Sequence, residues 1–222
     1  MYYVVFDIIM GAGEQAGARA TSIPYVLFLT AGLVPWFFFS EALTQGTTSM
    51  VEYNYLVKKV VFNVSILPVI KVIAAIFIHA FFVCVMLVMA AIYGFYPSLY
   101  TIQIIYYSFC TFMLVLGLSY ITSAIMVFFK DIAQIIGICL QLGMWATPIL
   151  WNIETMSPKV QMILSINPLV YVVSGYRDAV VSDRWFFERP LETLYFWVFT
   201  ILVLWAGTTL FRRLKPHFAD VL

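Results

Sequence analysis

Long apolar stretches separated by short polar ones dominate the chain. The longest stretch without Asp, Glu, Lys or Arg runs from Val72 to Phe129, between Lys71 and Lys130. A helix needs about 20 apolar residues to cross roughly 30 Å of hydrocarbon, so this stretch is too long for a single helix. The sequence GFYPS at Gly94–Ser98 supplies the turn residues that divide it into two helices.

We therefore predict an all-α polytopic membrane protein with about six transmembrane helices. Residues 1–11 are apolar but too short to cross, and we interpret them as the end of a truncated first span. All spans belong to one transmembrane domain that covers residues 1–222. The complete spans are predicted, in chain order, at residues 24–50, 66–93, 100–129, 132–152 and 192–211.

Another apolar stretch, Val160–Tyr176, carries Asn167-Pro168 in its middle. Proline removes a backbone donor and biases the preceding residue away from helix. We predict that residues 158–181 form a re-entrant outer region, in which two half-helices enter and leave the same membrane face. Broken backbone of this kind is tolerated in a membrane only where protein or a water-filled cavity surrounds it.

The segment at residues 51–63 has the periodicity of an amphipathic helix. Its apolar residues recur at positions i, i+3, i+4, i+7 and i+8, namely Tyr53, Leu56, Val57, Val60 and Val61. One interpretation is a helix that lies among the lipid headgroups. The other is a docking element for a soluble partner, and the pattern alone favours neither.

Basic residues indicate the orientation, because cytoplasmic loops are rich in Lys and Arg. The tail at residues 212–222 carries Arg212, Arg213 and Lys215 directly after the last span. We place this tail in the cytoplasm, and alternation of the spans then puts segment 51–63 on the same side. The basic residues expected outside alternate with acidic ones, so only the cytoplasmic side has a net positive balance.

Composition excludes a soluble protein and a nucleic-acid-binding protein. Hydrophobic residues make up 64% of the chain and charged residues only 10%, whereas soluble domains carry about 25% charged residues. A net charge of +1 supplies no basic face for phosphates. The three cysteines lie in apolar stretches without metal-ligand spacing, so we interpret them as small buried hydrophobes.

The sequence contains no recognised motif for catalysis or nucleotide binding. It has no GxxxxGK[ST] phosphate loop, so we expect no ATP binding of the P-loop kind. Gly11–Ala16 formally matches GxGxxG/A, but it follows an apolar stretch rather than a strand, which favours an extracytoplasmic turn. Neither HExxH nor GxSxG is present, and the lone His79 is interpreted as a packing residue. We expect no metal, cofactor or enzyme activity in this chain.

Aromatic residues are the positive signal for a substrate path. Aromatic side chains reach 18% of the chain, and they offer flat apolar faces and phenolic hydroxyls that suit a sugar chain. Acidic residues inside spans are candidate functional residues by default. The alternative is packing or lipid contact for the aromatics and an interfacial position for the acid. The candidate path residues are Trp36, Phe37, Phe38, Glu41, Tyr120, Trp145 and Trp151.

The order of these segments resembles the permeases of type-2 ABC transporters, in the group that exports polysaccharides and polyol phosphates. Family members usually begin with a cytoplasmic amphipathic helix and a complete first span, which are absent or truncated here. The family's usual Phe-Pro after the cytoplasmic loop is Phe62-Asn63 in this chain, with a proline at Pro68. The stretches that carry the resemblance are Gly32–Val60, Phe129–Trp151, Ile166–Val181 and Phe211–Leu222.

The resemblance implies a homodimeric permease in the cytoplasmic (inner) membrane that exports a lipid-linked polysaccharide. It also implies a partner, two copies of a separate ABC ATPase that bind ATP and Mg. Segment 51–63 then becomes the docking element for this ATPase, with Glu52, Leu56, Val57, Lys58 and Lys59 as candidate contacts. The re-entrant region becomes the outer exit, with candidate residues Asn167, Pro168, Arg177 and Asp178.

Three other functions fit parts of the sequence. Within the same fold, the chain is compatible with a type-2 permease for a lipid or a drug. A membrane-embedded transferase would require clustered intramembrane His, Asp and Glu residues, whereas this sequence offers scattered single acids. A passive structural subunit is compatible with the absence of an energy motif.

Overall fold

The computed structural model describes residues 14–16, 22–57 and 63–218. The predicted first span at residues 1–11 lies outside the described residues, as do Lys58 and Lys59 of the candidate docking element. The described part is mainly helical. Its helices are α1 (Tyr25–Glu52), α2 (Asn54–Val57), α3 (Ile66–Ile92), α4 (Gln103–Met126), α5 (Ile132–Ala146), α6 (Pro158–Leu164), α7 (Pro168–Arg177) and α8 (Pro190–Leu214).

Four of these helices, α1, α3, α4 and α8, are long and apolar enough to cross a membrane. This agrees with the predicted class, an all-α polytopic membrane protein. The one sheet among the described residues is a small antiparallel pair before α1, formed by β1 (Glu14–Ala16) and β2 (Ser22–Pro24). The stretch interpreted as a turn at Gly11–Ala16 thus contributes β1.

The helix in the fifth predicted span ends earlier than expected. The pattern predicts a span over 132–152, whereas α5 has 15 residues and ends at Ala146. Pro148 explains the difference, because a proline biases the residue before it, here Thr147, away from the helical conformation. At 1.5 Å per residue α5 is about 22 Å long, which is shorter than the hydrocarbon core.

Cα packing divides the chain into two compact units. Unit 1 contains the described residues of Met1–Phe37 together with His79–Phe109 and Met144–Phe196. Unit 2 contains the described residues of Phe38–Ile78 and Trp197–Leu222 together with Cys110–Gly143. The re-entrant region therefore belongs to unit 1, and the candidate docking element belongs to unit 2.

Unit 2 is built around an apolar cluster and close helix contacts. A Cβ added at Gly207 of α8 would lie 2.5 Å from the carbonyl oxygen of Gly117 in α4, and one at Gly46 of α1 would overlap the Ser119 side chain. Small residues allow helix backbones to approach this closely. The buried cluster consists of Met50, Val64, Leu67, Ala124, Val127, Phe211 and Phe218.

Candidate functional site

The predicted re-entrant region consists of two short helices, α6 and α7, in unit 1. The break between them falls at Asn167-Pro168. Asn167 caps α7, since its Oδ1 accepts a hydrogen bond from the Leu169 amide at 3.0 Å. Its Nδ2 donates to the Thr147 hydroxyl at 2.9 Å, and Pro168 takes the first helical position, where its missing N–H costs nothing. Asn167 and Pro168 therefore start α7 and anchor it to the turn after α5.

Two neighbouring charges at the end of α7 have different partners. The Arg177 guanidinium donates to the Ile149 carbonyl at 2.9 Å and lies over the Phe28 ring, 3.5 Å from its centroid. Asp178 is buried, with 6% of its surface exposed, and it forms an ion pair with Arg189 at 3.0 Å. Arg189 also contacts the exposed Glu192 at 3.5 Å.

A small cavity of about 90 Å³ opens beside these charges. Its wall includes the side chains of Phe28, Ser174, Arg177, Asp178 and Arg189. Guanidinium and carboxylate groups next to an aromatic ring can bind the hydroxyls of a sugar or a phosphate group. No group of three or more His, Cys, Asp or Glu side chains in the described ranges is placed to hold a metal ion.

His79 belongs to a buried polar cluster in unit 1. Its Nε2 lies 2.9 Å from the Tyr176 hydroxyl and 3.0 Å from the Ser108 hydroxyl. The two hydroxyls are themselves 2.6 Å apart. The three residues come from α3, α4 and α7, so the cluster joins the re-entrant region to two long helices. The sequence shows His79 alone because its partners are distant in the chain.

Tyrosine hydroxyls form a second polar chain in unit 1. The hydroxyl of Tyr171 in α7 lies 3.2 Å from that of Tyr106 in α4 and 2.9 Å from that of Thr193 in α8. The Tyr106 ring also stacks on Phe186 with centroids 4.4 Å apart. These aromatic side chains pack and pair inside unit 1, as in the packing alternative that the sequence left open for its aromatic residues.

The candidate path residues on α1 do not share one face. Trp36 and Phe38 are buried, with 5% and 3% of their surfaces exposed, whereas Phe37 between them is 42% exposed. Successive helical residues point in different directions, so the aromatic run cannot form a single lining surface. Glu41 is exposed and accepts a hydrogen bond from the Gln45 side-chain amide.

The other three candidate path residues lie on α4 and around the end of α5. The Tyr120 hydroxyl donates to the Ser65 carbonyl at 3.1 Å, inside unit 2. In unit 1, Trp145 is 59% exposed, and Trp151 Nε1 donates to its carbonyl at 3.3 Å. The structure thus brings Trp145 and Trp151 together.

The candidate docking element differs from the continuous helix that its periodicity predicts over 51–63. Helix α1 ends at Glu52, Tyr53 forms a turn, and the one-turn helix α2 follows. Lys71 of α3 accounts for the corner, since its Nζ contacts Glu52 Oε2 at 2.7 Å and lies 5.0 Å from the Tyr53 ring centroid. Leu56 and Val57 lie in α2.

These features define a polytopic membrane protein with a helix-break region that carries charges and hydroxyls. Residues 1–181 match the family model of ABC-2 type transporters, and the chain belongs to this family. The resemblance inferred from the sequence is thereby confirmed.

Relatives match the chain over its whole length. Two proteins of Klebsiella pneumoniae, both called O-antigen export system permease protein RfbA, are 28% identical over all of this chain and 82% of their own length. A protein of the same name from Myxococcus xanthus is 26% identical over 99% of this chain and 82% of its own length.

Proposed function

We propose that this chain is the transmembrane subunit of an ATP-driven exporter that moves a lipid-linked polysaccharide across the cytoplasmic membrane. The observation that carries the proposal is its full-length similarity to three permeases named for O-antigen export. The sequence has no phosphate loop, so the energy must come from a partner. A separate ABC ATPase, which binds ATP and Mg, fills that role.

The working assembly is a homodimer of this chain with two copies of the ATPase. The described residues of one chain include four helices long enough to cross a membrane. So few helices do not easily surround a wide hydrated path, whereas two chains together can. The path would then run between the two protomers, with the basic tail at residues 212–222, which begins in the last turn of α8, in the cytoplasm.

Segment 51–63 is the proposed docking element for the ATPase. Glu52, Tyr53 and Lys71 support this role, because they tie the end of α1 to the start of α3. A force applied to the segment when the ATPase closes would therefore reach two long helices. Lys58 and Lys59 are the proposed contacts with the acidic side chains of the partner.

The substrate would pass exposed aromatic side chains and leave beside the re-entrant region. Phe37 and Trp145 are the best placed of the candidate aromatics, because they are exposed while Trp36 and Phe38 are buried. The cavity beside Arg177 and Asp178 offers hydrogen-bonding and charged groups for the sugar or its phosphate. Asn167 and Pro168 hold the helix that carries these charges.

Export is tested in a host from which the native copy of this gene has been deleted. We expect loss of the surface polysaccharide, accumulation of lipid-linked glycan on the cytoplasmic side, and recovery when the wild-type chain and its ATPase are both supplied. An ATPase with an inactivated catalytic carboxylate is the control and should not restore export. Normal surface polysaccharide in the deletion strain, with loss of lipid or drug efflux instead, would contradict the proposal.

Docking is tested by charge reversal. The variant Lys58→Glu/Lys59→Glu should lose co-purification with the ATPase or lose export. The matched control is Lys159→Glu on α6, which is exposed and lies in unit 1, and it should keep both. A Lys58→Glu/Lys59→Glu pair that associates and exports like wild type would exclude the docking assignment.

A further inference from the structure

A pocket of about 370 Å³ in unit 2 has no role in the proposed export mechanism. It lies between the segment just before α3 and the C-terminal end of α8. Ligand pockets span about 300–1,000 Å³, so its size is sufficient for a small molecule or a headgroup. Its polar wall includes Asn63, Ser65, Tyr120, Arg212 and Lys215.

The charge of this pocket is positive. Arg212 and Lys215 line it, and no Asp or Glu among the described residues does. Within residues 14–16, 22–57 and 63–218, Arg212 forms no ion pair, and Lys215 Nζ donates to Asn63 Oδ1 at 3.2 Å. The Asn63 amide and the Ser65 hydroxyl add neutral donors. A guanidinium, an ammonium and neutral donors around one pocket match a phosphate oxyanion.

An exposed apolar stripe on α8 leads towards the pocket. It consists of Val198, Ile201, Leu202 and Trp205, which are 50–68% exposed and follow the spacing i, i+3, i+4 and i+7. Arg212 stands seven positions after Trp205, two helical turns further on the same face. At the near end of the stripe, Thr208 and the Phe211 ring form part of the pocket wall.

We propose that this pocket binds the phosphodiester headgroup of an anionic glycerophospholipid, whose acyl chains lie along the stripe of α8. A hydrocarbon-facing stripe that ends at two basic side chains has the amphipathic pattern of such a lipid. Basic pockets at the ends of transmembrane helices attract anionic headgroups in this way. A zwitterionic headgroup fits less well, because none of the described residues that line the pocket carries a carboxylate to receive its ammonium group.

The first experiment measures which lipids remain on the purified full chain by native mass spectrometry. The chain is exchanged into equal amounts of phosphatidylglycerol and phosphatidylcholine. We expect selective retention of phosphatidylglycerol, and a fall of about fivefold for each basic side chain removed, in Arg212→Gln and Lys215→Gln. The matched control is Arg213→Gln, an exposed neighbour that does not line the pocket, and it should retain the lipid as wild type does.

The second experiment uses Trp205 as a reporter and does not depend on the basic-residue variants. Brominated phosphatidylglycerol should quench more fluorescence in the wild type than in Trp205→Phe, and brominated phosphatidylcholine should show less of this difference. A wild-type chain that retains both lipids equally would overturn the proposal. So would quenching that is insensitive to Trp205, which is the outcome expected if a second copy of the chain covers the stripe.

A final arm distinguishes the lipid from other sources of phosphate. Glycerol 3-phosphate and inorganic phosphate should not raise the melting temperature of the chain, whereas phosphatidylglycerol should raise it, and less so in Arg212→Gln. Equal stabilisation by the water-soluble phosphates would show that the pocket takes a free anion, and would overturn the lipid assignment. Equal loss of lipid in Arg213→Gln would show general surface charge and would overturn it as well.

Discussion

The contacts inside unit 1 differ in kind from the contacts inside unit 2. In unit 1, buried side chains pair through hydrogen bonds and charge, as in the His79–Ser108–Tyr176 cluster and the Asp178–Arg189 ion pair. Unit 2 contains a buried apolar cluster, close helix contacts at Gly46 and Gly207 and a neutral hydroxyl pair, Thr47 with Thr122, whereas its ion pair of Glu52 with Lys71 lies at the exposed end of α1.

The difference bears on what each unit can do. A buried polar group that loses its partner costs about 1–3 kcal/mol, so the directional pairs of unit 1 favour one arrangement of the re-entrant region. Apolar contacts are non-directional, so small shifts within the apolar cluster of unit 2 should cost less than breaking the pairs of unit 1. Under the proposed function, the directional pairs of unit 1 suit a substrate exit, and the apolar cluster of unit 2 suits a region that receives force from an ATPase.

The largest expected effect is the loss of Arg189. Arg189→Ala removes this cation from the buried Asp178 carboxylate, and breaking such a pair costs about 3–5 kcal/mol. We expect a marked fall in the melting temperature of the purified protein, measured in detergent by intrinsic fluorescence. The same variant should reduce export, because the end of α7 loses its anchor.

The control for this prediction uses the other partner of the same arginine. Glu192 is exposed, with 48% of its side chain accessible, and its contact with Arg189 is longer, at 3.5 Å. Glu192→Gln should therefore change stability by less than about 1 kcal/mol. Equal melting temperatures for Arg189→Ala and Glu192→Gln would mean that the buried ion pair contributes no more to stability than the exposed one.

The next largest effect is expected at the close contact between α4 and α8 in unit 2. In Gly207→Ala, the new methyl group would lie 2.5 Å from the Gly117 carbonyl oxygen, which forces α4 and α8 apart. Overpacking of this kind costs about 1–3 kcal/mol. The melting temperature should fall, and the matched variant Gly137→Ala should not lower it.

Gly137 is a suitable control because an added Cβ there meets nothing within 4 Å. Alanine is favoured over glycine in a helix by about 1 kcal/mol, so this variant should raise the melting temperature slightly. The two glycine variants should thus shift stability in opposite directions. A shift of the same sign in both would mean that the α4–α8 contact does not restrict unit 2.

A smaller effect is expected from the polar cluster in unit 1. Tyr176→Phe removes the hydroxyl that lies within hydrogen-bonding distance of His79 and Ser108, at a cost of about 1–2 kcal/mol. The matched variant Tyr195→Phe removes the bond that the hydroxyl donates to the Ile166 carbonyl at the surface. Thermal unfolding should rank Tyr176→Phe as the more harmful of the two. A lower melting temperature for Tyr195→Phe than for Tyr176→Phe would mean that the buried polar cluster is not a main source of stability in unit 1.

Local features of this fold were predictable from the sequence. The break at Asn167-Pro168 was visible because proline acts on its immediate neighbours. Helix α5 ends before Pro148 for the same reason, but the apolar residues continue past this proline, so their pattern alone predicts a longer span. Apolar length likewise indicated the long helices, since crossing a membrane requires a minimum number of residues.

Non-local features were not predictable in the same way. His79, Ser108 and Tyr176 come from three helices, so no spacing in the sequence joins them. The faces of Trp36 and Phe37 were also hidden, because the first half of α1 is apolar on nearly all sides and most of its polar residues, such as Glu41, Thr44 and Thr48, come only after the aromatic run. For the same reason the seven candidate path residues could be named but not arranged.

The smallest effect on stability is expected at the exposed ion pair of unit 2. Glu52→Gln removes a contact with Lys71 at a site where 47% of the Glu52 side chain is accessible, and exposed pairs contribute about 0.2–1 kcal/mol. The melting temperature should therefore change little, and the change should shrink further at high salt. Export is the more informative measurement, because this pair closes the corner between α1 and α3 that carries the proposed docking element.

Charge exchange separates the two roles of Glu52. If the residue acts by holding the corner, Glu52→Lys should impair export and Glu52→Lys/Lys71→Glu should restore it, since the double variant rebuilds the pair in reverse. If Glu52 instead contacts the ATPase directly, the double variant should remain impaired, because the partner still meets the wrong charge. Restored export would mean that Glu52 acts through its contact with Lys71 inside unit 2. Continued loss of export would mean that the ATPase contacts Glu52 at the end of α1.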